Sequence, residues 1–266
     1  MTCASFVRAP RFPAVAFDSH EDFLSFCAQK RDQLQGRAEY HQTLATSDSA
    51  LTSKGTCAPC LRPVEFVSSM DDAVLVKDGR RIPDWGRQMR CSCDERLMGD
   101  ERALIHFLQA TALAPWAQSL LLGPCSVAHR IAKLSGSAIH VPTLRPSGTP
   151  AIDSPGARFH VVISQNYLHR VSGLEETLTD VLRVLVAGGR FVFTIPFQAD
   201  AASSDLATLD VDREARSRSR AAEHRLGWNL LPTLRKIGFR QARAHLYWSE
   251  ELGYLGNRNF IFNAVK

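Results

Sequence analysis

The sequence predicts an α/β protein, with a mostly parallel sheet closed by a C-terminal antiparallel hairpin and preceded by a helix and a small cysteine-rich segment. Three observations predict it. From Ser119 onward, apolar runs alternate with amphipathic ones ("SLLLG", "VAHRIAKL", "SAIHV", "FHVVIS", "LEETLTDVLRVL", "RFVFTIPF"), the rhythm of strands joined by crossover helices. The tail breaks that rhythm: "ARAHLYWS" and "NFIFNAV" are two strand-like runs joined by a loop, which suits a hairpin at a sheet edge. Lastly, four cysteines fall in two close pairs, Cys57/Cys60 and Cys91/Cys93.

At 266 residues and 45% hydrophobic, the chain is long enough to bury a substantial core. Charged residues are 22%, aromatics 8% and the net charge +5, ordinary values that do not demand a nucleic-acid partner. The charge-rich "DREARSRSRAAEHR" (212–225) reads as a solvated face rather than an RNA-binding one. The N-terminus is interrupted by Pro10 and Pro13 and has no signal-peptide pattern. No run of about 18 apolar residues exists to span a bilayer. Seven cysteines, an odd number partly clustered, suggest metal binding in a reducing compartment over a disulfide scaffold. The expectation is a cytoplasmic protein with no membrane partner and with a nucleic-acid partner disfavoured.

The elements follow in order. Residues 18–44 are predicted to be helical, with Ser19 as cap, Asp22 three positions on, and Phe23, Phe26, Leu34 and Tyr40 on one side. Residues 45–56 read as a polar linker. The cysteine-bearing stretch carries two strand-like pieces, "VEFV" and "AVLV", and a helix is predicted over 94–111, with Leu97, Ala103, Leu104, Phe107 and Leu108 as its stripe. The predicted divisions are 1–50 helical, 51–98 cysteine-rich and 99–266 the α/β domain.

Two close cysteine pairs separated by a strand-bearing insert can close a tetrahedral Zn²⁺ site, because a tight turn aims two thiolates at one point. The predicted ligands are Cys57, Cys60, Cys91 and Cys93, as a structural zinc that stabilises a segment too small to fold by packing alone. The second pair has only Ser92 between its members, so His106 is an alternative donor. Cys3, Cys27 and Cys125 stand alone. Cys125 follows Gly123-Pro124 at a predicted helix start, where the dipole favours a thiolate, although a small core residue is the simpler reading.

The stretch "FHVVISQNYLHRVSGLEETLTDVLRVLVAGGRFVFTIPF" (159–197) resembles the second half of a class I S-adenosylmethionine-dependent methyltransferase, a Rossmann-like fold. "RVLVAGGRFVFTIPF" stands where that family has its Arg-Val-Leu-x-Pro-Gly-Gly turn and next strand. Ser172 and Glu175 can form a capping box, and Leu174, Leu178, Val181, Leu182 and Leu185 a sheet-facing stripe. Gly188-Gly189 supplies a positive-φ turn. "PDWGRQMRCSCDERLMGDERALIHFL" (83–108) looks like the segment preceding the domain in a subgroup with an N-terminal cysteine-rich insert. "LGWNLLPTLRKIGFRQARAHLYWSEELGYLGNRNFIFNAVK" (226–266) looks like the family's last helix and closing hairpin.

The resemblance implies S-adenosylmethionine as cofactor, methyl transfer to a small-molecule or sugar-linked acceptor, and a cofactor position along Gly123, Pro124, Cys125, His140, Ser164 and Asn166; it assigns no catalytic residue. The sequence departs from the pattern at that position. Only Gly123 remains of the glycine-rich loop, Pro124 donates no amide and Cys125 carries a Cβ. The strand "SAIHV" ends without a carboxylate to hold ribose hydroxyls, and residues 141–158 carry Pro142, Pro146, Pro150 and Pro155, too many for a helix and a full third strand. His169, where the family has an acidic residue, reads either as a general base or as a solvent-facing histidine at a helix start. Two readings stay open: an active methyltransferase, or a methyltransferase fold that no longer methylates and serves another reaction, such as cyclisation or rearrangement, or acts as a binding or scaffold protein.

Overall fold

The computed structural model describes residues 10–44, 51–68, 74–77, 80–93, 96–111, 114, 116–135, 139–140, 143–144, 150–171, 173–202 and 225–266. The predicted capping residue Ser172, the isolated Cys3 and the arginine-rich 212–224 lie outside them. Its strands are β1 Ala14–Phe17, β2 Leu51–Cys57, β3 Arg62–Ser68, β4 Val74–Lys77, β5 Arg80–Pro83, β6 Arg90–Cys91, β7 Ser119–Leu121, β8 Ile139–His140, β9 Thr143–Leu144, β10 Pro150–Ala151, β11 Phe159–Gln165, β12 Leu185–Thr194, β13 Gln241–Ser249 and β14 Tyr254–Val265. The helices are α1 His20–Gln29, α2 Arg31–Leu44, α3 Trp85–Gln88, α4 Gly99–Thr111, α5 Ala128–Ser135, α6 Leu174–Val184 and α7 Leu230–Ile237, with a 3-10 turn at Leu168–Arg170. None of the described helices is long and apolar enough to cross a membrane.

The chain divides into two compact units. One is Met1–Val15, Leu24–Thr111 and Leu246–Asn259; the other is Ala16–Phe23, Ala112–His245 and Phe260–Lys266.

The second unit is built on a sheet of order β1-β13-β14-β12-β11-β7-β8. β7 pairs parallel with both β8 and β11, and β11 pairs parallel with β12. β12 then meets β14 antiparallel. The alternation therefore folds as predicted, with β7 flanked by β8 on one side and by β11, then β12, on the other. That reversal of strand order is the topological switch point of a doubly wound sheet. Beyond β8 no further strand joins this sheet among the described residues. β9 and β10 instead pair with each other, which is the physical outcome of the proline-rich 141–158.

Apolar side chains supply the core as the periodicity requires. On α6 the buried positions are Thr177, Leu178, Val181 and Val184, about two turns of one face. Leu174 and Leu182 are only half-buried, and Leu185 opens β12. Phe193 stacks on Phe262 at 5.0 Å, and Phe197, Trp228, Phe260 and Phe23 extend the cluster, each such pair adding to simple burial. α7 ends at Gly238, whose φ of 126° lets its amide reach the Leu234 and Arg235 carbonyls before Phe239 enters the next strand. Gly188 takes the expected positive φ, 74°, but within β12, where the pairing with β11 jumps from Phe159↔Leu185 to Val161↔Arg190.

Three expectations change. The single helix over 18–44 begins as predicted, with the Asp22 amide donating to Ser19 Oγ at 3.1 Å, but it divides at Lys30 into α1 and α2. The linker of 45–56 is in part β2, because its polar residues pair in register with β3 from Leu51↔Ser68 to Cys57↔Arg62. The helix over 94–111 starts only at Gly99. The residues before it turn back after Cys93, so that the Leu97 carbonyl accepts from the Cys91 amide at 3.1 Å.

Candidate cofactor cleft and candidate metal centre

The cleft lies in the second unit at the C-terminal ends of β7 and β11, where an open α/β sheet receives ligands. Pairing of Ile163 with Leu121 and the Leu122 amide on the Ile163 carbonyl (2.7 Å) set the two strand ends side by side. The chain leaves β7 through Gly123 at φ 86°, a left-handed conformation that suits glycine, then Pro124, Cys125 and Ser126 lead into α5. Pro124 and Ser126 are exposed and Cys125 half-buried.

The chain's own side chains occupy this loop. Gln165 Oε1 accepts from both the amide and the hydroxyl of Ser126, each at 3.0 Å. The Tyr167 ring lies against the Cα of Gly123: a Cβ there would run into Cγ and Cδ1 and come within 2.8 Å of Cδ2. Burial pushes the Tyr167 hydroxyl pKa up. Between them Asn166 adopts φ 46°, uncommon for a residue with a side chain. It is held there by its amide, which donates to the Thr194 carbonyl (2.9 Å) and lies 3.2 Å from Thr194 Oγ1.

The predicted cofactor residues thus divide. Gly123, Pro124, Cys125 and Asn166 border the switch-point crevice. Ser164 is 1% exposed, within the strand rather than at its mouth. His140 pairs with Leu120 at the end of β8. The residues in place do not suit S-adenosylmethionine: the donor amide of Ser126 is taken, the surface of Gly123 is covered and β8 ends without a carboxylate. Gln165 and Tyr167 were missed from sequence; the signal available was an amide and an aromatic at the two positions beside Asn166. His169 is corrected. It is buried, not solvent-facing, and its Nε2 accepts from Arg170 Nε at 3.2 Å.

The second candidate lies in the first unit. Cys57, Cys60, Cys91 and Cys93 bring their sulfurs within 4.8 Å of one another and could hold a metal ion. A tetrahedral site with Zn–S of about 2.3 Å has sulfur–sulfur edges of about 3.8 Å, so the group fits. Two matched turns aim the pairs. After Cys57, the amides of Cys60 and Leu61 return to the Cys57 carbonyl (3.1 and 2.8 Å) and Leu61 takes φ 53°. After Cys93, the Arg96 amide returns to the Cys93 carbonyl (2.9 Å) and Arg96 takes φ 47°. The pairs meet because β3 carries Phe66 opposite Cys91. Cys91 and Cys93, with Cα atoms 5.3 Å apart, place their sulfurs in disulfide contact, and a metal would take them as thiolates. Burial above all pushes the Cys57 thiol up to about 12, so loading must displace its proton.

His106 belongs elsewhere. It donates from Nε2 to the Pro10 carbonyl at 2.6 Å, leaving Nδ1 to accept from the Tyr254 hydroxyl at 3.2 Å. Burial lowers its pKa.

The parallel strands with a switch point and the closing antiparallel hairpin make this a class I methyltransferase-like fold. No family model matches the chain, and no curated protein does. Among solved structures it is similar to a SAM-dependent methyltransferase from Thermotoga maritima (14% identity, TM-score 0.37, covering 61% of this chain and 87% of that one). It is also similar to an S-adenosylmethionine dependent methyltransferase from Mesorhizobium loti (17%, 0.37, 56% and 91%). A third is an arsenic(III) S-adenosylmethionine methyltransferase from Chlamydomonas reinhardtii (16%, 0.38, 58% and 64%). At these scores the likenesses carry no argument, and the fold rests on the strand order.

Proposed function

We propose that this chain is a methyltransferase-fold protein that no longer transfers a methyl group from S-adenosylmethionine and that acts as a binding or scaffold protein. The observation that supports it most is the filling of the glycine-loop position by the chain's own Gln165 and Tyr167. A cofactor needs that amide and that glycine surface. The four cysteines hold a structural zinc in this reading, because they offer four soft donors.

One observation favours a second reading, S-adenosylmethionine-dependent transfer to a small-molecule or sugar-linked acceptor. The sheet keeps a switch point at β7, and Asn166 holds φ 46° beside it, where such backbone strain often accompanies function. In that reading Gly123, Pro124, Cys125, His140, Ser164 and Asn166 serve the cofactor once Tyr167 and Gln165 have moved aside.

Calorimetric titration with S-adenosylmethionine and with its demethylated product separates the two. The first reading expects no binding at millimolar ligand; a micromolar dissociation constant for either would overturn it.

A further inference from the structure

Arg102 is a charge that its surroundings do not explain. It lies on α4, is 0% exposed and is among the largest wholly buried side chains described. Its Nη1 donates to the Leu252 carbonyl (2.8 Å), and its Nη2 donates to those of Met89 (3.0 Å) and Gly253 (2.9 Å). The guanidinium lies 4.2 Å from the centre of the Phe66 ring and 5.4 Å from that of Tyr254. Among the described residues it has no carboxylate partner, and its Nε has no hydrogen-bond acceptor. Carbonyl dipoles and ring faces soften the burial of a cation, but isolated buried charge remains costly.

The contacts that hold Arg102 also frame the cysteines. Met89, which accepts from it, is two residues before Cys91, and Phe66, beneath it, is the register partner of Cys91. Burial opposes its protonated form, and ionisation of Tyr254, Cys57, Tyr247 or Cys60 would favour it. Four thiolates around one Zn²⁺ carry a net charge of −2, a buried anion that needs a cation as much as Arg102 needs an anion.

We infer that Arg102 is the built-in counter-ion of a metal-loaded four-cysteine centre and sets that centre's metal affinity. The inference rests on the metal reading above. Arg102 is a positioning residue here: it acts through the charge of the site and ligates nothing. A lysine ammonium has three N–H donors for the same three carbonyls, whereas a neutral amide has only two, so the charge and the hydrogen bonds have to be separated by experiment.

The test compares R102K, which keeps the charge and loses the planar fork, with R102Q, which keeps an amide donor and loses the charge. Full-length chains are refolded with Co²⁺ under reducing conditions. Affinity is read from the thiolate-to-cobalt absorption during competition with a chelator. The expected result is R102K within about threefold of the unchanged chain and R102Q weaker by at least about tenfold, or about 1.4 kcal/mol. R102Q binding as tightly as the unchanged chain would overturn the inference. So would R102K falling as far as R102Q, or failing to fold with metal present, since either assigns Arg102 to hydrogen bonding alone. An unchanged chain that takes up no Co²⁺ would instead defeat the metal reading itself.

Discussion

Replacing Gly123 by alanine tests directly whether the loop is closed by the chain itself. At φ 86° a Cβ meets left-handed strain of about 1–2 kcal/mol. It would also enter the Tyr167 ring at Cγ and Cδ1, the end nearest the backbone, so the ring cannot yield by moving its tip. Over-packing of that kind costs about 1–3 kcal/mol more, and the backbone of Asn166 beside it is held by Thr194. Gly123→Ala should therefore lose about 2–5 kcal/mol. In a Tyr167→Ala background the steric part disappears, leaving about 1–2 kcal/mol of strain. Urea unfolding of the four proteins in this double-mutant cycle should return a coupling of about 1–3 kcal/mol. Equal cost in both backgrounds would refute the placement of the ring on Gly123, and with it the closed cleft.

Two further measurements probe the first unit. His41 Nε2 accepts from Trp248 Nε1 and the Gly256 amide, and burial, then Arg37, pulls its pKa down to about 4. The unfolded chain takes up a proton near pH 6.5 and the folded chain only near 4. Stability is then full above about pH 6.5 and falls by up to about 3 kcal/mol on the way to pH 4. His41→Gln should flatten that slope in urea midpoints taken across the range, and an unchanged slope would remove His41 from the account. For the cysteines, elemental analysis of protein purified without chelator should find about one zinc per chain, and stripping it should lower the thermal midpoint; a content well under one per chain would reject the site.

Much of the fold was legible in the sequence because burial imposes periods. The near-continuous apolar runs of "FHVVIS" and "RFVFTIPF" and the helical stripe through Leu178 and Val181 give strands and a helix where they were expected. The four prolines of 141–158 foretell that, among the described residues, no third strand joins the sheet beyond β8, and the chain's cap at Ser19 and positive φ at Gly188 are local chemistry. The cysteine pairs were legible too, since spacing alone confines two thiols to one turn. Less local features were not. The kink at Lys30 has no proline or glycine to announce it, and nothing in this structure explains it. The strand at Leu51–Cys57 looks like a linker because its residues are polar and its stability comes from its partner β3.

By itself, then, the sequence determined the α/β class, the closing hairpin and the four thiols, features written in short-range periodicity and spacing. Only the tertiary structure decided that Gln165 and Tyr167 fill the loop at Gly123, 42 and 44 positions earlier in the chain, that His169 is buried, and that Arg102 is buried among the groups that frame the cysteines. Those outcomes depend on which strand ends stand side by side, and that is settled by the folded chain's long-range contacts and not by any window of residues.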